Sequence, residues 1–338
     1  MLKVARFTVE NLTKGCVTDV SRPRFSFSLE SDQKNDQLKN ARISLNGWQI
    51  DTAEQTGVVY AGPVLKPFTA YTAELSVQSV HGETASAQVF FETGRLDTPW
   101  TGTWISDPGY SFTEKGVSPI PMVFRKKIKV QKPVKRALIN ATALGIYDLA
   151  FNGERISDRY FAPGFTSYKH DLMYQTYDVT NHLTGSGTLE ATVCGGWAVG
   201  SFVFTRANRL MGDRQALLLE VRIAYEDGTE EVIGTDGTWK VTEDGPVKMA
   251  DLYDGETYDA TFSSVPQPVV ITRPHWDAVL KQQDDRTRLR IKAELLMRPM
   301  ANGTHMPHEA HHPLIYDSRQ NCSGIGRLTV RGPRGSQV

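Results

Sequence analysis

Three stretches of this chain place reactive side chains at spacings that chemistry uses. His308-Glu309-Ala310-His311-His312 satisfies the H-E-x-x-H pattern. In that pattern both outer histidines hold zinc from one face of a continuous helix, and the glutamate serves as general base. Here Pro307 precedes the first His and Pro313 directly follows the last. A proline at the start is compatible with a helix, but Pro313 disfavours helical geometry at His312 and blocks continuation. The string reads as a solvated loop, with adventitious metal binding as the alternative.

The second stretch is acidic: Asp251, Asp254, Glu256 and Asp259. Two carboxylates about 5–10 Å apart suit glycoside cleavage, and calcium takes six to eight oxygens, often from closely spaced acids. The spacing does not fit an EF-hand loop, so a structural network of turns and strands is the first expectation. The third stretch is Val193-Cys194-Gly195-Gly196-Trp197-Ala198-Val199-Gly200. Glycines let a loop approach a sugar closely, and a Trp face packs against the apolar C–H face of a pyranose. Trp197, Gly195 and Gly196 are therefore the candidate ligand contacts, against the plainer alternative of a buried structural Trp. No residue is assigned a catalytic or metal-binding role. Phosphate loops, nucleophile elbows and Cys-x-x-Cys pairs do not occur. Four glycosylation sequons, at Asn11, Asn140, Asn302 and Asn321, read as chance matches in a chain without a secretory signal.

The elements that must position these residues have a period of two. Tyr71, Ala73, Leu75, Val77 and Ser79 alternate with polar neighbours, as do Met122, Phe124, Lys126, Ile128 and Val130, and Leu217, Leu219, Val221, Ile223 and Tyr225. That is the pattern of half-buried strands. Asn46-Gly47, Asn152-Gly153, Asp227-Gly228 and Asp236-Gly237 punctuate the runs with residues that tolerate tight hairpin turns. No window of a dozen residues keeps a helical apolar period. The expected fold class is all-β.

A length of 338 residues exceeds one small core. The punctuation divides it into a sandwich over residues 1–95, a linker at Thr93–Trp100, a second β-domain over 104–262, a Pro/Ser-rich linker at 263–268, and strand-like segments over 288–338. Hydrophobic residues form 40% of the chain, enough for packed β-domains. With 38 basic and 38 acidic residues the net charge is zero, which gives no electrostatic reason to expect nucleic acid or an anionic membrane as partner. Cys16, Cys194 and Cys322 are too few and too scattered for a disulfide framework. The N-terminus lacks the apolar run of a signal peptide, and no stretch approaches the length of a membrane span. The expected location is cytoplasmic.

Several ordered motifs resemble those of one family. Thr142-Ala143-Leu144-Gly145-Ile146-Tyr147-Asp148-Leu149-Ala150-Phe151-Asn152-Gly153-Glu154-Arg155, then Phe161-Ala162-Pro163-Gly164-Phe165-Thr166-Ser167-Tyr168, Tyr174-Gln175-Thr176-Tyr177-Asp178-Val179-Thr180 and Leu252-Tyr253-Asp254-Gly255-Glu256-Thr257-Tyr258-Asp259-Ala260 resemble the N-terminal β-domain of bacterial α-L-rhamnosidases. Arg22–Phe27 and Phe91–Gly94 resemble the fibronectin type III-like module that precedes it. Asp317–Gly324 and Val330–Gly335 resemble the opening strands of the β-sandwich that follows. The resemblance implies a fibronectin type III-like sandwich, a jelly-roll or galactose-binding-like sandwich, and the start of another. It also implies a parent enzyme that hydrolyses terminal α-L-rhamnosyl residues with inversion, on a downstream (α/α)6 barrel that this chain lacks.

On that resemblance the chain alone is inactive, and the acidic cluster has no catalytic role. The implied partners are L-rhamnose or rhamnosyl glycans and the downstream barrel in cis. Related domains can bind rhamnose with calcium through an acidic or amide residue before the Trp. This chain has Cys194-Gly195-Gly196 there, which removes an oxygen ligand, so no cofactor is the first expectation and calcium the lesser alternative. Ending at Val338, inside an unfinished sheet, the chain reads as a piece of a longer protein. A free-standing carbohydrate-binding module for rhamnose-containing glycans is the alternative.

Overall fold

The computed structural model describes residues 1–109, 118–202, 204–243, 245–259, 261, 266–272 and 279–282, together with the strand pairs 298–299 and 316–317. The chain separates into a large unit, residues 1–289, and a second over 290–338. Within the latter, Arg298–Pro299 pairs antiparallel with Tyr316–Asp317. The remainder of the segment read as opening a further sandwich, and the His308–His312 string, lie outside the described residues.

The N-terminal part of the large unit folds as two facing sheets. One orders Leu2–Val9, Arg24–Ser31 and Val58–Val59; the other orders Cys16–Thr18, Thr84–Thr93, Ala70–Ser79, Leu38–Leu45 and Trp48–Thr52. The period-two pattern decides which side chains enter. Along Ala70–Ser79, Ala73, Leu75, Val77 and Ser79 are buried while Glu74 and Ser76 are exposed. Phe7, Phe25 and Phe91 from both sheets fill the centre, with Phe25 6.0 Å from Phe7 and 6.4 Å from Phe91.

The second sandwich is larger. Its first sheet orders Glu154–Arg155, Ile146–Phe151, Gly187–Cys194, Met122–Ile128, Lys240–Thr242 and Gln267–Pro268. Its second orders Val270–Ile271, Ile105–Ser106, Ala216–Tyr225, Val134–Leu144, Asp171–Asp178 and Val279–Gln282, with Glu230–Gly234 also against Ala216–Tyr225. The register sets Leu217, Leu219, Val221 and Ile223 opposite Ala143, Ala141, Ile139 and Ala137. Three of these pairs set a large side chain beside an alanine, and the core closes with Phe124, Leu149, Leu189 and Trp239. Asn46-Gly47 and Asn152-Gly153 both hold positive φ at both positions, the geometry that matches strand twist in a two-residue hairpin. Asp236-Gly237 turns differently, with the Thr238 N–H donating to Asp236 Oδ1 at 2.9 Å. Gln267 and Pro268, at the end of the stretch read as a second linker, pair with Lys240 and Val241 of the first sheet, and Val270–Ile271 pairs with Ile105–Ser106 of the second, so the sandwich extends beyond residue 262.

The stretch between the sandwiches, read as a linker, is fastened down. Thr93, Gly94 and Arg95 are buried. Arg95 is 2% exposed and forms an ion pair with Glu220, which is fully buried. Its guanidinium stacks 3.9 Å over the Trp100 ring and donates to the Thr98 and Pro99 carbonyls at 3.1 and 2.6 Å. Glu220 also accepts from the Thr101 N–H and hydroxyl and from the Gly102 N–H. Beside it, the Tyr174 hydroxyl donates to Asp19 of the first sandwich at 2.7 Å. Alternation alone places Glu220 outward. It is buried because its outward face meets this segment rather than solvent.

Candidate functional site

At one end of the second sandwich, the interior strand Gly187–Cys194 runs into a single helical turn, Gly196–Val199, which carries Trp197. Gly195 and Gly196 are buried. A side chain at Gly195 would meet Pro119 Cγ at 2.6 Å. One at Gly196, where φ is +50°, would meet Ile146 Cγ1 at 2.5 Å. Gly200 is as tight, with Asp251 Oδ1 2.4 Å from the position of an added Cβ. The space these glycines leave is filled by the protein itself, and the result is a turn fixed from three sides.

Beneath the turn lies a small separate core of Leu144, Tyr168, Leu172, Ala198, Val199 and Ala216. The adjoining loop is held by the Tyr168 hydroxyl donating to the Gly164 carbonyl at 2.6 Å and by Gln175 Nε2 donating to the Pro163 carbonyl at 3.0 Å. A second loop is tied on by the Met211 N–H donating to the Ala198 carbonyl at 3.1 Å.

Above this support the rings form a continuous surface. Trp197 is half-buried, with its ring 6.3 Å from Phe161 and 5.8 Å from Phe165. Phe165 stacks on Phe202 at 5.9 Å, and Phe202 meets Tyr253 edge-on at 6.2 Å. Phe161, Phe165 and Tyr253 are each about half exposed (47%, 53% and 51%), and Phe204 is entirely so. Isolated exposed apolar residues are ordinary, but contiguous aromatic patches mark sites of interaction. One polar corner adjoins the patch. Asp254 accepts from Arg206 at 2.7 Å and from the Ser118 hydroxyl at 2.5 Å.

The acidic cluster is largely absorbed by structure. Asp251 is buried and accepts from the Ser201 and Leu252 N–H groups, both at 2.7 Å. Burial raises its pKa against these bonds. The hydrogen bond from Ser118 outweighs the cost of burial at Asp254 and, with the Arg206 guanidinium, lowers its pKa. Asp259 caps its own turn through the Thr261 N–H and hydroxyl at 2.9 and 2.6 Å. Glu256 is exposed on the strand that pairs with Val247–Asp251. Carboxylates already bonded to amides or a guanidinium have little to offer a cation. Among the described residues, no group of three or more His, Cys, Asp or Glu side chains converges as a metal site. With glycines at the two positions before Trp197, the side chains present do not fit calcium.

The structure therefore sets Trp197 at the middle of a surface rather than alone. Phe161, Phe165 and Tyr253 all sit in motifs whose order was legible, but nothing in their spacing shows that these two segments converge near the Trp197 turn. Phe202 carries no signal beyond being an aromatic in a polar loop.

Comparisons with known proteins agree with this architecture. Residues 132–299 match the family described as the α-L-rhamnosidase N-terminal domain, and residues 4–97 match the Rha78A-like N-terminal immunoglobulin domain. The chain is similar to an α-L-rhamnosidase of Streptomyces avermitilis, 42% identical over 217 residues, which are 61% of this chain and 20% of that protein. It is 32% identical over 192 residues to one of Formosa agariphila, covering 55% of this chain and 20% of the relative. The chain thus spans about a fifth of the length of these curated relatives. The solved α-L-rhamnosidase of Dictyoglumus thermophilum superposes with a TM-score of 0.74 at 24% identity, over 83% of this chain and 35% of that one. It shares the fold.

Proposed function

This chain belongs, over residues 4–97 and 132–299, to the N-terminal domain families of α-L-rhamnosidases, and we propose that it is the non-catalytic, glycan-holding part of such an enzyme. In this reading the parent protein removes terminal α-L-rhamnosyl residues, and the second sandwich presents the sugar platform. The observation that carries it is the half-exposed aromatic surface of Phe161, Phe165, Trp197 and Tyr253. A pyranose lays its C–H face on such rings. L-Rhamnose, a 6-deoxy sugar, carries a methyl group where other hexoses carry a hydroxymethyl, so it suits an apolar platform with polar groups at one corner only. In this reading Arg206, half-exposed at that corner and paired with Asp254, bonds the ring hydroxyls. Gly195 and Gly196 act on the ligand through the position they give Trp197.

A single stacked sugar on an open surface buries little area, so the expected dissociation constant is about 1 mM, worth about 4 kcal/mol. Titration of the 338-residue chain with L-rhamnose, followed by chemical-shift mapping, tests the reading. Shifts centred on Trp197, unaffected by a calcium chelator and abolished in Trp197→Ala, are the expected result. Binding that survives Trp197→Ala at full strength overturns the placement of the site.

A further inference from the structure

The strand Val279–Gln282 is the last that the described residues of the large unit add to its sheets, and beyond it the chain continues to the unit over 290–338. It lies at the outer edge of the second sheet and pairs parallel with Asp171–Asp178, from Asp171 opposite Val279 to Tyr174 opposite Gln282. The Val279 N–H donates to the His170 carbonyl at 2.8 Å, and Lys281 Nζ lies 2.6 Å from Asp171 Oδ1. Between them, half-buried Leu280 packs against the small core beneath the Trp197 turn. Ala198 and Val199, the two residues that follow the tryptophan, belong to that core. The strand that Val279–Gln282 pairs with begins where the Phe161–Phe165 loop ends, and the Thr166 hydroxyl closes that loop by donating to the Asp171 carbonyl at 2.5 Å. One short edge strand therefore braces both the turn that carries Trp197 and the loop that carries Phe161 and Phe165.

We propose that this strand regulates the platform: Leu280 is a positioning residue, and docking of the strand sets the affinity of the Trp197 surface for rhamnose. The proposal rests on the platform reading above and adds how that site is controlled. A four-residue edge strand held on the core through Leu280 is the kind of element that opens locally while the sandwich stays folded. When it opens, the small core loses Leu280 from one side, and the backing of Ala198 and Val199 loosens with it. Sugar stacking needs the ring held in place before the ligand arrives, because ordering it on binding subtracts from a weak contact. The coupling is reciprocal by thermodynamic necessity: whatever docking adds to rhamnose affinity, rhamnose adds to docking. A displacement of the strand by the chain that follows it thereby changes the site at Trp197.

Titration of the full 338-residue chain with L-rhamnose compares the native protein with Leu280→Ala, Leu280→Met and Ile50→Ala. Ile50 is likewise half-buried and packs on the core of the first sandwich, so it controls for lost packing as such. The expected result is about tenfold weaker binding in Leu280→Ala, with the Trp197 indole N–H resonance already moved in the free protein. Leu280→Met and Ile50→Ala keep the native affinity within about twofold. A second measurement needs no variant. In the native chain, about 100 mM rhamnose should slow amide exchange at Val279 about tenfold. Exchange at Phe27, whose N–H is bonded to the Gln55 carbonyl in the first sandwich, should not change. Native affinity in Leu280→Ala overturns the proposal and leaves the Trp197 platform standing, as does equal weakening in Ile50→Ala. Exchange at Val279 that rhamnose leaves unchanged overturns it too, and decides the matter should Leu280→Ala fail to fold. A native chain that binds no rhamnose overturns the platform reading and the proposal together.

Discussion

Replacing Glu220 by alanine removes the acceptor on which the junction between the two sandwiches converges. Its carboxylate is fully buried, paired with a guanidinium that is itself only 2% exposed, and it takes the N–H groups of Thr101 and Gly102 and the Thr101 hydroxyl. Deleting one partner of a buried ion pair leaves an uncompensated charge, at a cost of about 3–5 kcal/mol. Arg95 retains the Thr98 and Pro99 carbonyls and the Trp100 ring, which offsets part of this. The newly unsatisfied amides add to it. The expected net loss is about 4 kcal/mol, a large share of the ~5–15 kcal/mol that typically holds a domain together. Replacing both partners by Met and Leu removes the charges together and should cost far less. Urea unfolding followed by tryptophan fluorescence measures the difference, and limited proteolysis shows where it acts. The native chain should resist cleavage at residues 94–102, whereas the Glu220→Ala chain should be cut there. A loss under about 1 kcal/mol, with the cleavage pattern unchanged, would refute the argument that this segment is fastened by the pair.

Other consequences follow from the same structure. Burial raises the pKa of Glu220, but its bonds to Arg95 and Thr101 prevail and hold it below the ordinary value. Its stabilisation is therefore complete above about pH 4.3 and fades as pH falls through the lowered folded-state value. Acid unfolding of Glu220→Gln should accordingly show a shallower loss than the native chain, and identical acid limbs would exclude that contribution. Burial, together with Glu256, Asp251 and Asp148, pushes the Cys194 thiol up to about 12, so alkylation at pH 8 should be slow until the chain is unfolded. Rapid labelling of Cys194 in the folded protein would contradict this. Gly196→Ala places a methyl group 2.5 Å from Ile146 at a positive φ. It should weaken rhamnose binding about as much as loss of Trp197 while leaving the Glu220 junction intact; unchanged affinity would show that the turn does not set the ring.

The all-β architecture was legible because alternation is a local property. Ala73, Leu75 and Val77, or Leu217, Leu219 and Val221, announce their strand and its inner face without reference to anything distant. The Asn-Gly pairs did the same for two hairpins, since their positive φ angles are required by the turn itself. Glu220 is the opposite case. Its outward position was readable, but its partner lies 125 residues away, and Thr98-Pro99 looks like loose punctuation until Arg95 is seen beneath it. The site divides in the same way. Trp197 stood out by its glycines, although these glycines serve packing against Pro119 and Ile146. The rings beside it come from other loops, and their meeting in space is something no one-dimensional spacing records.

Whether this chain holds rhamnosyl sugars without cleaving them is the most direct question to put to the molecule. An aryl α-L-rhamnoside offered to the purified 338-residue protein answers both halves at once, by resonance shifts for binding and by phenolate release for turnover. Inverting hydrolysis needs an acid and a base roughly 6.5–9.5 Å apart with room for water between them. Asp251 and Asp254 are instead occupied by amides, a hydroxyl and Arg206. The expected outcome is saturable shifts around Trp197 with no phenolate above the uncatalysed rate. Phenolate release that survives repurification and disappears in Asp254→Asn would contradict the account.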